Sequence, residues 1–178
     1  MGPPRPSRPA GGTATGCKTA CVRVAMVCLG NICRSPMAEA VAQALVAEAG
    51  LDGDVMVDSF GTTGAHAGEG ADPRALAALS RRGWALPGHR ARQLRAGDLD
   101  VIDLVLCADR SNGAAVRGLA PPDAGRVRLL RSFDPDAIAG DDEVPDPWGG
   151  DDLAFDLALG RIEAACRGLV GHLAAARR

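Results

Sequence analysis

Four short apolar runs, each separated from the next by a stretch with helical spacing, most constrain what this chain can fold into. CVRVAMV (21–27), VMVDS (55–59), VIDLVLCA (101–108) and RVRLL (126–130) are rich in β-branched and apolar residues, as expected of strands buried on both faces. After the first run, Pro36 is placed to open a helix at its first position, and Met37, Val41 and Leu45 recur at four-residue steps until Gly50 closes it. Asp72-Pro73 reads as the cap and first residue of a helix that ends at Gly83, and a short helix is expected near Ser111 to Gly118. Phe155, Leu159, Ile162, Cys166 and Leu169 mark a C-terminal amphipathic helix. Strands alternating with helices predict an α/β fold: a doubly wound, four-stranded parallel sheet flanked by helices on both faces. Sheets of this kind take ligands at the carboxyl ends of their strands, beside the switch point.

The ends and loops divide the chain. Residues 1–20 are rich in Pro, Gly and small polar residues and read as a disordered leader, leaving 21–178 as the folded domain. Ser132 to Gly150 holds two Asp-Pro pairs, further acids, glycines and no period; it reads as a long loop, a kind that in compact domains is usually functional. A net charge of −2 without a basic stripe argues against nucleic-acid binding. No apolar run approaches the roughly 20 residues of a membrane span, and MGPPRPSRPA lacks the apolar core of a signal peptide. The cytoplasm is the expected location, with secretion by a non-classical route left open. Cysteines 17, 21, 28, 33, 107 and 166 are irregularly spaced with no CxxC pair, and His66, His89 and His172 are scattered, so neither a disulfide framework nor a zinc site is expected.

The stretch CLGNICRSP (28–36) falls between the first strand and the first helix, where the fold puts its ligand. A loop there can turn its backbone N–H groups toward one centre, and those donors with the helix dipole make an anion site. Gly30 permits the close approach, and Arg34 adds a planar fork suited to two oxygens of a phosphate. A thiol at the base of such a field, Cys28, is expected to face a cradled phosphate as a nucleophile.

CLGNICRSPMAEA resembles the signature of the low-molecular-weight protein tyrosine phosphatases, and DSFGTTGAHAG, ADPRALAALSRRGW, GHRARQL, ADRSN and DPWGG resemble that family's later blocks, in order, over about residues 22–175. The resemblance implies hydrolysis of phosphotyrosine and small aryl phosphates without metal or other cofactor. It implies Cys28 as nucleophile, Arg34 as holder of the phosphoryl oxygens and Asp146 as general acid and base. Leu29, Gly30, Asn31, Ile32, Cys33 and Ser35 would complete the phosphate loop, Ser35 donating to the Cys28 sulfur. Ser59 and His89 would join Asn31 in a net that supports the loop, and Cys33 would be the redox partner that traps an oxidised Cys28 as a disulfide. Asp134, Asp141, Asp142, Asp151 and Asp152 are rivals for the acid; the Trp that follows Asp146-Pro147 favours Asp146.

The chain departs from that family at its cleft. Ala65, beside His66, stands where an aromatic wall is expected, so Trp148 is the surviving wall, and the chain has no tyrosine at all. Arsenate reductases of the same fold relay a disulfide through further cysteines; Cys107 stands near the first of these, but no second follows it. Phosphoarginine phosphatases tend to carry threonine at the position of Ile32, whose apolar side chain favours an aryl phosphate. The partner expected is a phosphotyrosine-bearing protein, met by a monomer.

Overall fold

The computed structural model describes residues 21–119 and 125–177; the leader expected over 1–20 lies outside them. Strands β1 (Val22–Cys28), β2 (Val55–Gly61), β3 (Leu104–Cys107) and β4 (Val127–Leu129) form one sheet in the order β2-β1-β3-β4. All three pairings are parallel. The helices are α1 (Arg34–Glu48), α2 (Pro73–Arg81), α3 (Arg110–Leu119) and α4 (Asp152–Ala175). Short 3-10 turns run over Ala96–Asp100 and Leu130–Phe133.

The period-two pleat sorts the core into two layers. Val24, Met26 and Cys28 of β1 and Leu106 of β3 point to the layer filled by α1, α2 and α4. Ala25, Val27, Val105 and Cys107 point to the other, which Leu94, Leu99, Ile102 and Val116 of α3 complete. On α4 the buried residues Phe155, Ala158, Leu159, Ile162, Ala165, Cys166, Leu169, Val170 and Leu173 keep a stripe of three- and four-residue steps against α1.

Some boundaries differ from the sequence reading. Pro36 is the third residue of α1, not its first; the N–H it lacks has no intrahelical acceptor in a first turn, so the position is tolerated. Cys28 is the last residue of β1 and not the first beyond it. The run 101–108 pairs only from Leu104, because Val101 still closes the preceding 3-10 turn through its N–H to the Asp98 carbonyl. The loop expected from Ser132 begins inside a 3-10 turn that carries Ser132 and Phe133.

The chain passes from β1 outward to β2 and then returns across β1 to β3. The crevice therefore opens between the carboxyl ends of β1 and β3, where Cys28 and Asp109 lie.

Candidate active site

Residues 29–33 descend from β1 to α1, and their N–H groups make no hydrogen bond to protein among the described residues. The turn needs one left-handed residue, Asn31, at φ +58°; it is the sole non-glycine with positive φ among the described residues, in a conformation that Asn tolerates. Asn31 is fully buried and every polar atom of its side chain is used. Its Nδ2 donates to Ser35 Oγ and to Ser59 Oγ, each at 2.9 Å, and its Oδ1 accepts the Arg92 N–H at 2.9 Å. His89 Nε2 donates to the Asn31 carbonyl at 2.9 Å, which puts the imidazole proton on that nitrogen. Ser59 donates to Glu39 of α1, whose carboxylate also lies 3.6 Å from His89 Nδ1. The turn is pinned from three elements. Gly61 at the end of β2 completes the fit: a Cβ there would lie 2.8 Å from the Leu29 carbonyl and 3.1 Å from the Asn31 nitrogen.

Cys28 is buried at the floor, its sulfur 3.0 Å from Ser35 Oγ. Arg34 is 4 % exposed. Its Nη1 donates to Asp109 Oδ2 at 2.7 Å and to the Val144 carbonyl at 3.2 Å, and its Nη2 donates to Asp146 Oδ2 at 2.9 Å. Its Nε–H is buried and meets no acceptor among the described residues. An unanswered buried donor costs about 1–3 kcal/mol, and oxygens of an anion on the loop would supply the acceptor. Asp109 reaches Arg34 from the start of α3, where its other oxygen accepts the Asn112 N–H at 2.7 Å.

A cleft of about 150 Å³ opens above the sulfur. Cys28, Leu29, Gly30, Ile32, Cys33 and Arg34 line its floor, and Ala65, His66, Asp146 and Trp148 rise around it. Trp148 is 65 % exposed and is the one tryptophan on the cleft; Trp84 is bonded instead to Glu163 of α4 at 2.6 Å, and Phe60 lies in the core under Arg92. Beside Ala65 on the cleft, the His66 ring packs against Gly30 and is held by Glu69 at 2.9 Å.

The rival acids are engaged elsewhere. Asp134 is buried against Arg131, and Asp141 pairs with Arg161 at 2.6 Å. Asp142 is gripped by Arg110, which holds its carboxyl below the usual range. Asp151 caps α4, and Asp152 sits exposed near Arg81. Asp146, by contrast, reaches the cleft of Cys28.

Three thiols are pushed up to about 12, chiefly by burial: Cys33, Cys107 and Cys166. The Cys33 sulfur lies 3.9 Å from Asp72 Oδ2, whose charge also raises it. Cys107 faces the core layer opposite to that of Cys28. Among the described residues no group of His, Cys, Asp and Glu is arranged to hold a metal ion, and no helix is long and apolar enough to cross a membrane.

Two contributors escaped the sequence reading. Glu39 is the lone acid within the first three turns of α1, and Asp109 is the acid just past the third strand, at the switch point.

The family model for low molecular weight phosphotyrosine protein phosphatase matches residues 23–178. A low molecular weight protein-tyrosine-phosphatase of Streptomyces coelicolor is 51% identical over 150 residues, 83% of this chain and 91% of that protein. The crystal structure of YfkJ from Bacillus subtilis superposes with a TM-score of 0.83 at 32% identity, covering 90% of this chain and 99% of that one. Wzb of Vibrio vulnificus, solved in complex with benzylphosphonate, superposes with a TM-score of 0.75 at 26% identity, covering 86% of this chain and 99% of that one.

Proposed function

Since the chain belongs to the low molecular weight phosphotyrosine protein phosphatase family, we propose that it hydrolyses phosphotyrosine and small aryl phosphates through a phosphocysteine formed on Cys28. The observation that carries this reading is the convergence of Cys28, Arg34 and Asp146 on one cleft. In the first step the Cys28 sulfur attacks phosphorus, an S–P bond forms and the P–O bond to the phenol breaks. Arg34 turns its fork and its free Nε–H to the equatorial oxygens, releasing Asp146 to protonate the leaving phenolate. In the second step Asp146 takes a proton from water, the water oxygen attacks phosphorus, and the sulfur leaves. Phosphoryl transfer through a loose transition state needs mainly positioning and charge stabilisation, so the mechanism calls for no metal.

The apolar Ile32 and the exposed Trp148 suit an aromatic ring, and the benzylphosphonate held by Wzb is an aryl analogue of that class. Relay of a disulfide through Cys107, as in an arsenate reductase, is opposed by its place in the other core layer. We take the protein to act in the cytoplasm as a monomer on phosphotyrosine proteins, with Cys33 able to trap an oxidised Cys28.

Hydrolysis of p-nitrophenyl phosphate and of a phosphotyrosine peptide tests the reading. Both should persist in chelator, yield competitively to vanadate and vanish in Cys28→Ser. Turnover that survives in Cys28→Ser, or that chelator abolishes, overturns it.

A further inference from the structure

The acid loop that carries Asp146 and Trp148 is anchored at two points. On one side Val144 is buried, its N–H donating to the Ala108 carbonyl at 2.8 Å and its carbonyl accepting from Arg34 at 3.2 Å. On the other side the chain turns back through Gly150 N–H to the Pro147 carbonyl at 2.9 Å, and the Gly150 carbonyl is held by Arg74 Nη1 at 2.8 Å. Arg74 belongs to α2, and the rest of its fork lies on Asp72, with Nε on Oδ1 at 3.1 Å and Nη2 on Oδ2 at 2.7 Å. Asp72 in turn meets the phosphate loop. Its N–H donates to the Ile32 carbonyl at 2.8 Å, and its carboxylate faces the Cys33 thiol. Phe155 of α4 lies under the guanidinium, 4.7 Å from ring centroid to Cζ. One planar side chain thus spans the distance between the two loops whose separation the chemistry needs fixed.

We infer that Arg74 is a positioning residue: with Asp72 it forms a clasp that sets the acid loop against the phosphate loop and so holds Asp146 in register with Cys28. Stability alone is a poor account of it, because a partly exposed ion pair contributes little to folding. A lysine has one nitrogen and could not hold both Asp72 oxygens and Gly150 at once; the guanidinium can. The inference rests on the reading of Asp146 as the acid.

The test is kcat/KM for a series of aryl phosphates whose phenols run from acidic, as in p-nitrophenyl phosphate, to basic, as in phenyl phosphate. A poorly placed acid matters most when the leaving group most needs its proton. Arg74→Ala should lose about tenfold or more on phenyl phosphate, the scale expected of a displaced catalytic group, and far less on p-nitrophenyl phosphate. Inhibition by inorganic phosphate should be unchanged. Adding Arg74→Ala to Asp146→Asn should cost nothing further on phenyl phosphate, because the two act through one proton. Arg74→Lys should show the same pattern more weakly, and it carries the test if Arg74→Ala does not fold. Equal losses along the series, no loss, or full additivity with Asp146→Asn overturns the clasp. A series that is flat in Asp146→Asn itself overturns the acid assignment beneath it, and the two failures are thereby distinguished.

Discussion

Ser35 has one proton and two places to put it. Its Oγ accepts from Asn31, so its own hydrogen goes either to the Phe60 carbonyl at 3.1 Å or to the Cys28 sulfur at 3.0 Å. In the proposed second step, as sulfur gains negative charge on leaving phosphorus, the second choice gains strength. In the same proposal Asp146 has the complementary task of giving and then taking a proton. Asp146→Asn should lower kcat/KM for phenyl phosphate by about 10²–10⁴-fold, the usual worth of a positioned acid, and by less for p-nitrophenyl phosphate. Asp134→Asn should instead lower the unfolding midpoint, since it leaves Arg131 buried beside a neutral amide; a larger kinetic loss there would move the acid to Asp134. The Cys33 thiol, pushed up to about 12, is almost wholly protonated at neutral pH. Closure of a disulfide from oxidised Cys28 should therefore quicken about tenfold for each pH unit toward alkali, read by quenching with a thiol-blocking reagent after peroxide. A rate independent of pH contradicts that environment for Cys33. Cys28, Asn31, Arg34 and Ser35 were legible because they share one short stretch with strict spacing. Glu39 and Asp109 were not, because Glu39 joins the net only when β2 brings Ser59, and the loop after α2 brings His89, beside α1, and Asp109 meets Arg34 only when β3 pairs with β1.

Among the elements, α4 shows how packing overrides local preference. Gly168 lies inside this helix, where Gly is disfavoured by about 1 kcal/mol against Ala. A Cβ on it would run into the Phe133 carbonyl of the 3-10 turn that leads into the acid-loop segment. Gly168→Ala should therefore destabilise the protein by about 1–3 kcal/mol, the range for overpacking, in urea unfolding; a rise in stability would show that the turn yields freely. Helices were legible by their spacing and by Asp72-Pro73, whose carboxylate does accept the Arg74 N–H at 2.8 Å. Strand ends were not, since where β3 begins depends on how far the preceding turn extends, and that is decided by hydrogen bonds rather than hydropathy. Arg74 likewise carries no sign in sequence of its reach to Gly150, which depends on how α2 lies beside the segment before α4.

For the molecule as a whole, the alternation of strands and helices made the sheet legible, and the order β2-β1-β3-β4 then puts the switch point at Cys28. Burial has a consequence for stability at high pH. Cys33, Cys107 and Cys166 keep their protons up to about 12 in the fold, against an ordinary value of 9.0. Between those values the unfolded chain releases protons that the native state retains, so stability is fully present below about pH 9 and falls as pH rises toward about 12. The chain has no tyrosine and one lysine, Lys18, so few other side chains titrate in that window. The urea midpoint, measured in reductant, should fall through this range, and Cys166→Ala should flatten the fall while lowering the starting value. A midpoint that stays level would mean the thiols are less isolated from solvent than their burial implies.

In the proposed mechanism phosphate passes through a covalent bond to Cys28. Rapid mixing of the protein with p-nitrophenyl phosphate, acid quenching within the first turnover and mass spectrometry of the digested peptides tests it directly. One phosphoryl group is expected on the peptide that carries Cys28, formed in a burst with one equivalent of nitrophenol and absent from Cys28→Ser. Nitrophenol released with no phosphorylated peptide, or a phosphoryl group found on another residue, would contradict it.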